Sequence, residues 1–202
     1  MREECHLPAA TVRLSGPRNK GRRLLSGRSS SAAALHGRGS VATIGQMLAI
    51  EIPGAGELRL EHLVLDYNGT IALDGGLIVG VADRLCALAQ TLRVHVVTAD
   101  TFGRARIDLA DLPCTLSVLP PGEQDTRKLE YVRALDADRV VAIGNGRNDR
   151  AMIEAAALGI AVIQAEGTAV ETLLAADVVV SSVLDALDLL AAPLRLVATL
   201  RR

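Results

Sequence analysis

Residues 63–71 read Leu63-Val64-Leu65-Asp66-Tyr67-Asn68-Gly69-Thr70-Ile71: three aliphatic side chains, an acid, then a short polar turn. An apolar run that ends on a carboxylate and breaks at a glycine predicts a buried strand that delivers Asp66 to the rim of a sheet. Open α/β sheets bind their ligands at that rim. Taken alone, the stretch fits a turn-forming aspartate equally well. Its neighbours in the chain decide between the two.

Downstream, helical and strand patterns alternate. The apolar spacing predicts helices over 81–92, 101–112, 123–135, 149–158 and 170–176, with Gly159 ending the fourth. Between them, aliphatic runs at 93–98, 114–119, 139–143, 160–163 and 178–180 read as strands. On the helix over 123–135, Leu129, Val132 and Leu135 form the inward stripe. A last helix starts at Val183 and is interrupted at Pro193. Upstream, 48–52 and 57–60 make a hairpin around Pro53-Gly54-Ala55-Gly56, and 71–79 makes a smaller one around Asp74-Gly75-Gly76. Strands apolar on both faces and alternating with helices specify an α/β, Rossmann-like fold of three layers around a parallel central sheet.

The first 46 residues do not share this pattern. They hold eight basic residues against Glu3 and Glu4, a net charge of +6, whereas the 156 residues from Met47 onward hold 14 basic and 21 acidic groups, net −7. Ser, Gly and Arg are scattered without apolar periodicity, so the segment 1–46 reads as a disordered basic tail. Its Arg- and Ser-rich composition also matches a transit peptide. A mis-called start, with Met47 as the natural beginning, is the plainer expectation. As a nucleic-acid arm it lacks aromatic partners and would give only salt-sensitive, non-specific attraction. The domain proper is expected over 47–202, large enough to bury about two thirds of its unfolded surface.

Tyr67, Phe102 and Tyr131 are the only Phe, Tyr or Trp residues, so stacking platforms for single strands are missing. Cys5, Cys86 and Cys114 show no paired spacing, and a reducing, cytoplasmic setting is expected. Apolar runs fall far short of the roughly 20 residues that a membrane span needs.

Four strand ends hand over to polar residues: Asp66 with Asn68, Gly69 and Thr70; Thr98; Lys128 near a helix start; and Gly144-Asn145-Gly146-Arg147-Asn148-Asp149. Parallel strands place all of them at one sheet edge. Such a set supports phosphoryl transfer to a carboxylate. Asp66 would be the nucleophile, Lys128 would neutralise phosphoryl charge, Thr98 would donate to a phosphoryl oxygen, and Asp149 would help hold Mg²⁺ or Lys128. Twenty of the 22 basic residues are Arg, and Lys128 is the one lysine after residue 20. A guanidinium fork cannot replace a compact ammonium wedged between a carboxylate and a phosphate. Gly144 to Asp149 lacks the third glycine of a dinucleotide loop.

Asp66-Tyr67-Asn68-Gly69-Thr70, Val97-Thr98, Lys128 and Gly144 to Asp149 resemble, in order, the four motifs of the haloacid dehalogenase-like hydrolases. The branch most resembled is the soluble proteins akin to the phosphorylation domain of P-type ATPases. The resemblance implies Mg²⁺ and an aspartyl-phosphate on Asp66, with Asp66, Asn68, Asn145 and Asp149 as the metal set and the 71–79 hairpin as the flap over the site. Two departures stand out. Family phosphatases carry an acid at the position of Asn68, and a metal-binding Asp at the position of Asn145. An amide can neither protonate a leaving group nor activate water, and one charge fewer should weaken Mg²⁺ binding.

The gaps from Thr70 to Thr98 and from Thr98 to Lys128 leave no room for a cap domain or a nucleotide-binding insert. An uncapped site accepts a large phosphorylated partner or is walled in by a neighbouring subunit of a homo-oligomer. The expected function is a low-turnover, Mg²⁺-dependent phosphohydrolase. The rival is a catalytically impaired pseudo-phosphatase that binds or regulates. A receiver domain would need an acidic pair before Asp66, and Glu51, Glu57 and Glu61 are not adjacent at a strand end.

Overall fold

The computed structural model describes residues 41–43, by backbone alone, together with 46–100 and 103–202. Most of the segment read as a basic tail therefore lies outside the described residues, as do Thr101 and Phe102 at the start of the helix expected over 101–112. Within that tail segment, β1 (Val41–Thr43) pairs antiparallel with β2 (Leu48–Ile52), so ordered strand reaches further upstream than Met47.

β3 (Gly56–Leu60) completes a three-stranded antiparallel sheet in the order β1-β2-β3. The main sheet is built from β4 (His62–Leu65), β7 (Arg93–Thr98), β8 (Cys114–Val118), β9 (Val140–Gly144), β10 (Leu158–Val162) and β11 (Val178–Val180). Its order is β11-β10-β9-β4-β7-β8, every pair parallel, as the doubly apolar strands require. The strand carrying Asp66 is central.

Alternation along β4 defines the layers. Leu63 and Leu65 face a core that also takes in α1 (Val81–Leu88), α6 (Val183–Ala191) and α7 (Leu194–Leu200). Val64 faces the opposite cluster with Val132 of α3 (Gln124–Ala134) and with Met152 and Ile153 of α4 (Arg150–Ala155). Every residue of β4, β9 and β10 is buried. The small hairpin of β5 (Ala72–Leu73) and β6 (Gly76–Leu77) turns at Asp74 and Gly75, whose φ values of +50° and +79° are those of a tight primed turn. α2 (Arg104–Asp108) and α5 (Val170–Ala175) are short.

Two local expectations are corrected. Gly159 does not end a helix: α4 stops at Ala155, and Leu158 and Gly159 open β10. A Cβ on Gly159 would sit 2.4 Å from the carbonyl oxygen of Ile153, so this glycine permits a close crossing of α4 over β10. The run Ala155-Ala156-Ala157-Leu158 suits a helix or a buried strand, and periodicity cannot separate them. On α3, Lys128 and Val132 are buried and Leu135, just past its end, packs against the Val132 cluster as expected, while Leu129 is half-buried and belongs to neither core cluster. Two carboxylates waiting beneath the helix draw the lysine in.

Candidate active site

The Asp66 amide donates to the Ile143 carbonyl at 3.0 Å, extending the β4 to β9 ladder by one residue. The chain then folds back sharply. The Tyr67 carbonyl accepts the amides of Thr70, Ile71 and Ala72 at 3.2, 3.0 and 2.9 Å, and Gly69 adopts φ +74°. This turn brings the Thr70 hydroxyl to 3.1 Å from Asp66 Oδ2 and 3.2 Å from Asn145 Oδ1.

The Lys128 ammonium, 1% exposed, lies 2.5 Å from Asp66 Oδ1 and 2.7 Å from Asp149 Oδ1. Burial alone would lower its pKa, but the two carboxylates outweigh that effect and hold it above the ordinary lysine value. Two acids sharing one ammonium leave one undercompensated. Asp149 is pushed up to about 6, first by burial and then by the Asp66 charge, against the pull of Lys128 and the Gly146 amide.

The structure thus joins Asp66, Lys128, Asp149 and, through Thr70, Asn145. It leaves the other two candidates less engaged. Thr98 is buried at the end of β7, where its hydroxyl accepts the Asp100 amide at 3.1 Å and keeps its own hydrogen to donate. Asn68 is exposed on the turn. Asp149 has no free oxygen: Oδ1 meets Lys128, and Oδ2 accepts the amides of Asn145 and Gly146 at 3.0 and 2.8 Å. Its geometry is that of a support for Lys128.

A sequence profile described as haloacid dehalogenase-like hydrolase matches residues 125–185, the stretch containing Lys128, Asn145 and Asp149. Over those residues the chain is similar to the haloacid dehalogenase-like hydrolases. An uncharacterised protein of Methanocaldococcus jannaschii, MJ0073, is 42% identical to this chain over 84 residues, 40% of the chain and 90% of that protein. Among solved structures, a subfamily III A hydrolase of the same superfamily from Legionella pneumophila superimposes with a TM-score of 0.57 at 17% identity, covering 70% of this chain and 87% of that one. The 3-deoxy-D-manno-octulosonate 8-phosphate phosphatase of Moraxella catarrhalis, in complex with magnesium, phosphate and its sugar, gives 0.56 at 14% identity, covering 66% and 86%. The cobalt-bound counterpart from Haemophilus influenzae gives 0.56 at 16%, covering 67% and 90%.

The hydrolase family implies a divalent cation, and the donors present fit a hard one. Asp66 Oδ2 and Asn145 Oδ1 converge on the Thr70 hydroxyl, and oxygen is the donor type Mg²⁺ prefers. Among the described residues, no group of three or more His, Cys, Asp or Glu side chains could hold a metal. Amide, water and substrate oxygens would complete the coordination, as they commonly do for Mg²⁺.

Two supports of the site escaped the motif reading. The Gln164 side chain donates to the carbonyls of Gly69 and Thr70 at 2.8 and 2.7 Å and accepts the Val183 amide at 2.9 Å, tying the Asp66 turn to the start of α6. The available signal was position: Gln164 follows β10 at the same carboxyl edge. Asp108 Oδ2 accepts the Tyr67 hydroxyl at 2.7 Å and the Leu77 amide at 3.2 Å, anchoring the flap hairpin. Burial, then that hydrogen bond to Asp108, raises the Tyr67 pKa well above the usual range and keeps the phenol a donor. Nothing in the sequence marks that pairing.

Proposed function

We propose that this protein is a Mg²⁺-dependent phosphohydrolase of low turnover, acting through an aspartyl-phosphate on Asp66. The observation that carries the reading is the buried Lys128 ammonium, held 2.5 Å from Asp66 and 2.7 Å from Asp149 at the carboxyl edge of the sheet. Its placement neutralises charge where an anionic carboxylate must meet an anionic phosphoryl group.

In the first step an Asp66 carboxylate oxygen bonds to phosphorus while the bond to the leaving oxygen breaks, and the electron pair departs on that oxygen. The Thr98 hydroxyl donates to a phosphoryl oxygen. Water then attacks phosphorus, releasing Asp66 and inorganic phosphate, with a proton passing to solvent. Mg²⁺ bound by Asp66 and Asn145 would supply further positive charge to the phosphoryl oxygens. Asn68 carries no acidic proton, so the leaving oxygen departs unprotonated. Aryl and acyl phosphates are therefore favoured over alkyl phosphates.

Between Asp66 and α1 the chain carries only the short hairpin from Ala72 to Leu77, which suits a macromolecular phosphoester or a small one enclosed by a second copy. The sugar-acid phosphatases among the solved neighbours favour a phosphomonoester. The Asn at position 68, where P-type ATPases also lack a carboxylate, supports placement in the branch akin to their phosphorylation domain. No helix among the described residues is long and apolar enough to cross a membrane. A cytoplasmic enzyme without specific nucleic-acid binding is our reading.

The exposed Asn68 and the amide at Asn145 also favour a second reading, a pseudo-phosphatase that binds phosphorylated partners without turning them over. Acetyl phosphate with Mg²⁺ separates the two. An acid-stable, hydroxylamine-sensitive label on the protein, lost in Asp66→Asn, supports catalysis, and no label supports the binding role.

A further inference from the structure

The cation site is poor in negative charge. Asp149 is wholly committed to Lys128 and two backbone amides. Asn145 contributes an uncharged oxygen, its amide turned by the hydrogen bond from Nδ2 to the Gly167 carbonyl at 3.0 Å. That leaves Asp66 as the one carboxylate of the resembled metal set with a lone pair to spare.

A further carboxylate stands beside these donors. Measured from the point where a Cβ would lie on Gly69, Asn145 Nδ2 is 2.6 Å away, Glu166 Oε2 2.8 Å and Asn145 Oδ1 3.0 Å. Gly69 leaves that space open, and an alanine there would drive into both side chains. The loop that presents Glu166 is tied down on each side of it. Gln164 clamps the Gly69 and Thr70 carbonyls, the Gly167 carbonyl takes the Asn145 amide, and the Ala169 amide donates to the Asn145 carbonyl at 2.9 Å. Among the described residues no hydrogen-bond or ion-pair partner faces the Glu166 carboxylate, although it borders a cluster already bearing two acids against one ammonium. A solvated carboxylate at that place is within reach of a cation held by Asp66 and Asn145, directly or through the cation's water.

We propose that Glu166 supplies the second negative charge of the divalent-cation site, taking the part of the carboxylate that Asn145 lacks. Its exposure suits contact through water of the cation's hydration shell, which Mg²⁺ gives up reluctantly. Glu166 is on this view a positioning residue. It holds the metal's water and sets affinity, and it does not touch the phosphoryl group. The inference rests on the phosphohydrolase reading only in so far as both need a cation beside Asp66.

The test titrates the full chain with Mn²⁺, read by electron paramagnetic resonance, with Mg²⁺ as competitor and no phosphoryl donor present. Glu166→Gln should weaken the Mn²⁺ Kd by about tenfold, the size seen when outer-shell partners of metals are removed. Asp138→Gln, an exposed acid just before β9 at the opposite sheet edge, should leave it unchanged. Combining Glu166→Gln with Asn145→Asp should restore affinity towards that of the parent, because the charge has moved and not vanished. Equal affinity in the parent and Glu166→Gln, equal loss in Glu166→Gln and Asp138→Gln, or no Mn²⁺ binding by the parent at millimolar concentration each overturn the proposal. Phosphorylation of Asp66 is scored separately by acetyl phosphate labelling. A normal label with metal affinity indifferent to Glu166 rejects this inference alone, and tight metal binding without a label rejects the phosphohydrolase reading alone.

Discussion

Lys128 donates to Asp149 Oδ1 at 2.7 Å, and the other oxygen of the same carboxylate is held by the amides of Asn145 and Gly146. Asp149 is thereby a fixed post against which the ammonium is positioned towards Asp66. Removing the ammonium leaves two buried acids facing each other. Lys128→Met should lose about 3–5 kcal/mol of stability, read as a fall in the urea midpoint, together with all labelling of Asp66. Lys128→Arg should not restore labelling, because a planar fork does not fit a slot that leaves the side chain 1% exposed.

Asn68 tests the leaving-group argument. Asn68→Asp places an acid on the exposed turn beside Asp66 and should raise kcat on alkyl phosphates by about 100-fold. Aryl phosphates need little protonation and should change far less. A common factor on both classes would place residue 68 away from the leaving oxygen.

Gln164→Leu strips partners from the Gly69 and Thr70 carbonyls and from the Val183 amide. The expected cost is about 1–3 kcal/mol. Hydrogen exchange at the Val183 amide should quicken, which distinguishes a lost clamp from a general loss of stability.

Gly159→Ala sets a methyl group against the Ile153 carbonyl, 2.4 Å from the new carbon before relaxation. Thermal denaturation should report a loss of about 1–3 kcal/mol. An unchanged midpoint would mean that α4 lifts from β10 freely.

His95 sits between His62 Nδ1, 2.9 Å from its Nε2, and the Tyr131 hydroxyl, 3.0 Å from its Nδ1. Burial first, then the charges of His62 and Arg93, lower its pKa from 6.5 to about 4. Above pH 6.5 the ring is neutral in the folded and unfolded chain alike, and its contribution is fully present. As pH falls from 6.5 towards 4, the unfolded chain takes up a proton that the fold refuses, and stability drops by on the order of 2 kcal/mol. Urea midpoints at pH 7 and pH 5 should differ in the parent and lie closer together in His95→Gln, where His62, itself held below its usual value by burial, still titrates.

The strands and the place of Asp66 at the sheet edge were legible because they rest on local patterns. Leu63 to Asp66 announces itself by composition, and Lys128 by being a lysine in an arginine-rich chain. The turn at Asp74 and Gly75 follows from backbone sterics. What stayed hidden depends on long-range approach. Gly159 reads as a helix stop until Ile153 is seen lying over it, and Leu129 reads as core until the carboxylates claim the face for Lys128. Gln164, Asp108 and Glu166 act on residues 19 to 95 positions away or across a glycine, where no periodicity reaches.

The burial of Lys128 has a practical corollary. From residue 47 onward the chain has no other lysine, so amine-acylating reagents and lysine-specific endoproteinases find no side-chain target on the folded domain. Any acylation of Lys128, or cleavage after it, counts molecules whose α3 has lifted from the sheet. The buried ammonium is in this way a built-in reporter of local opening where Asp66 and Asp149 meet.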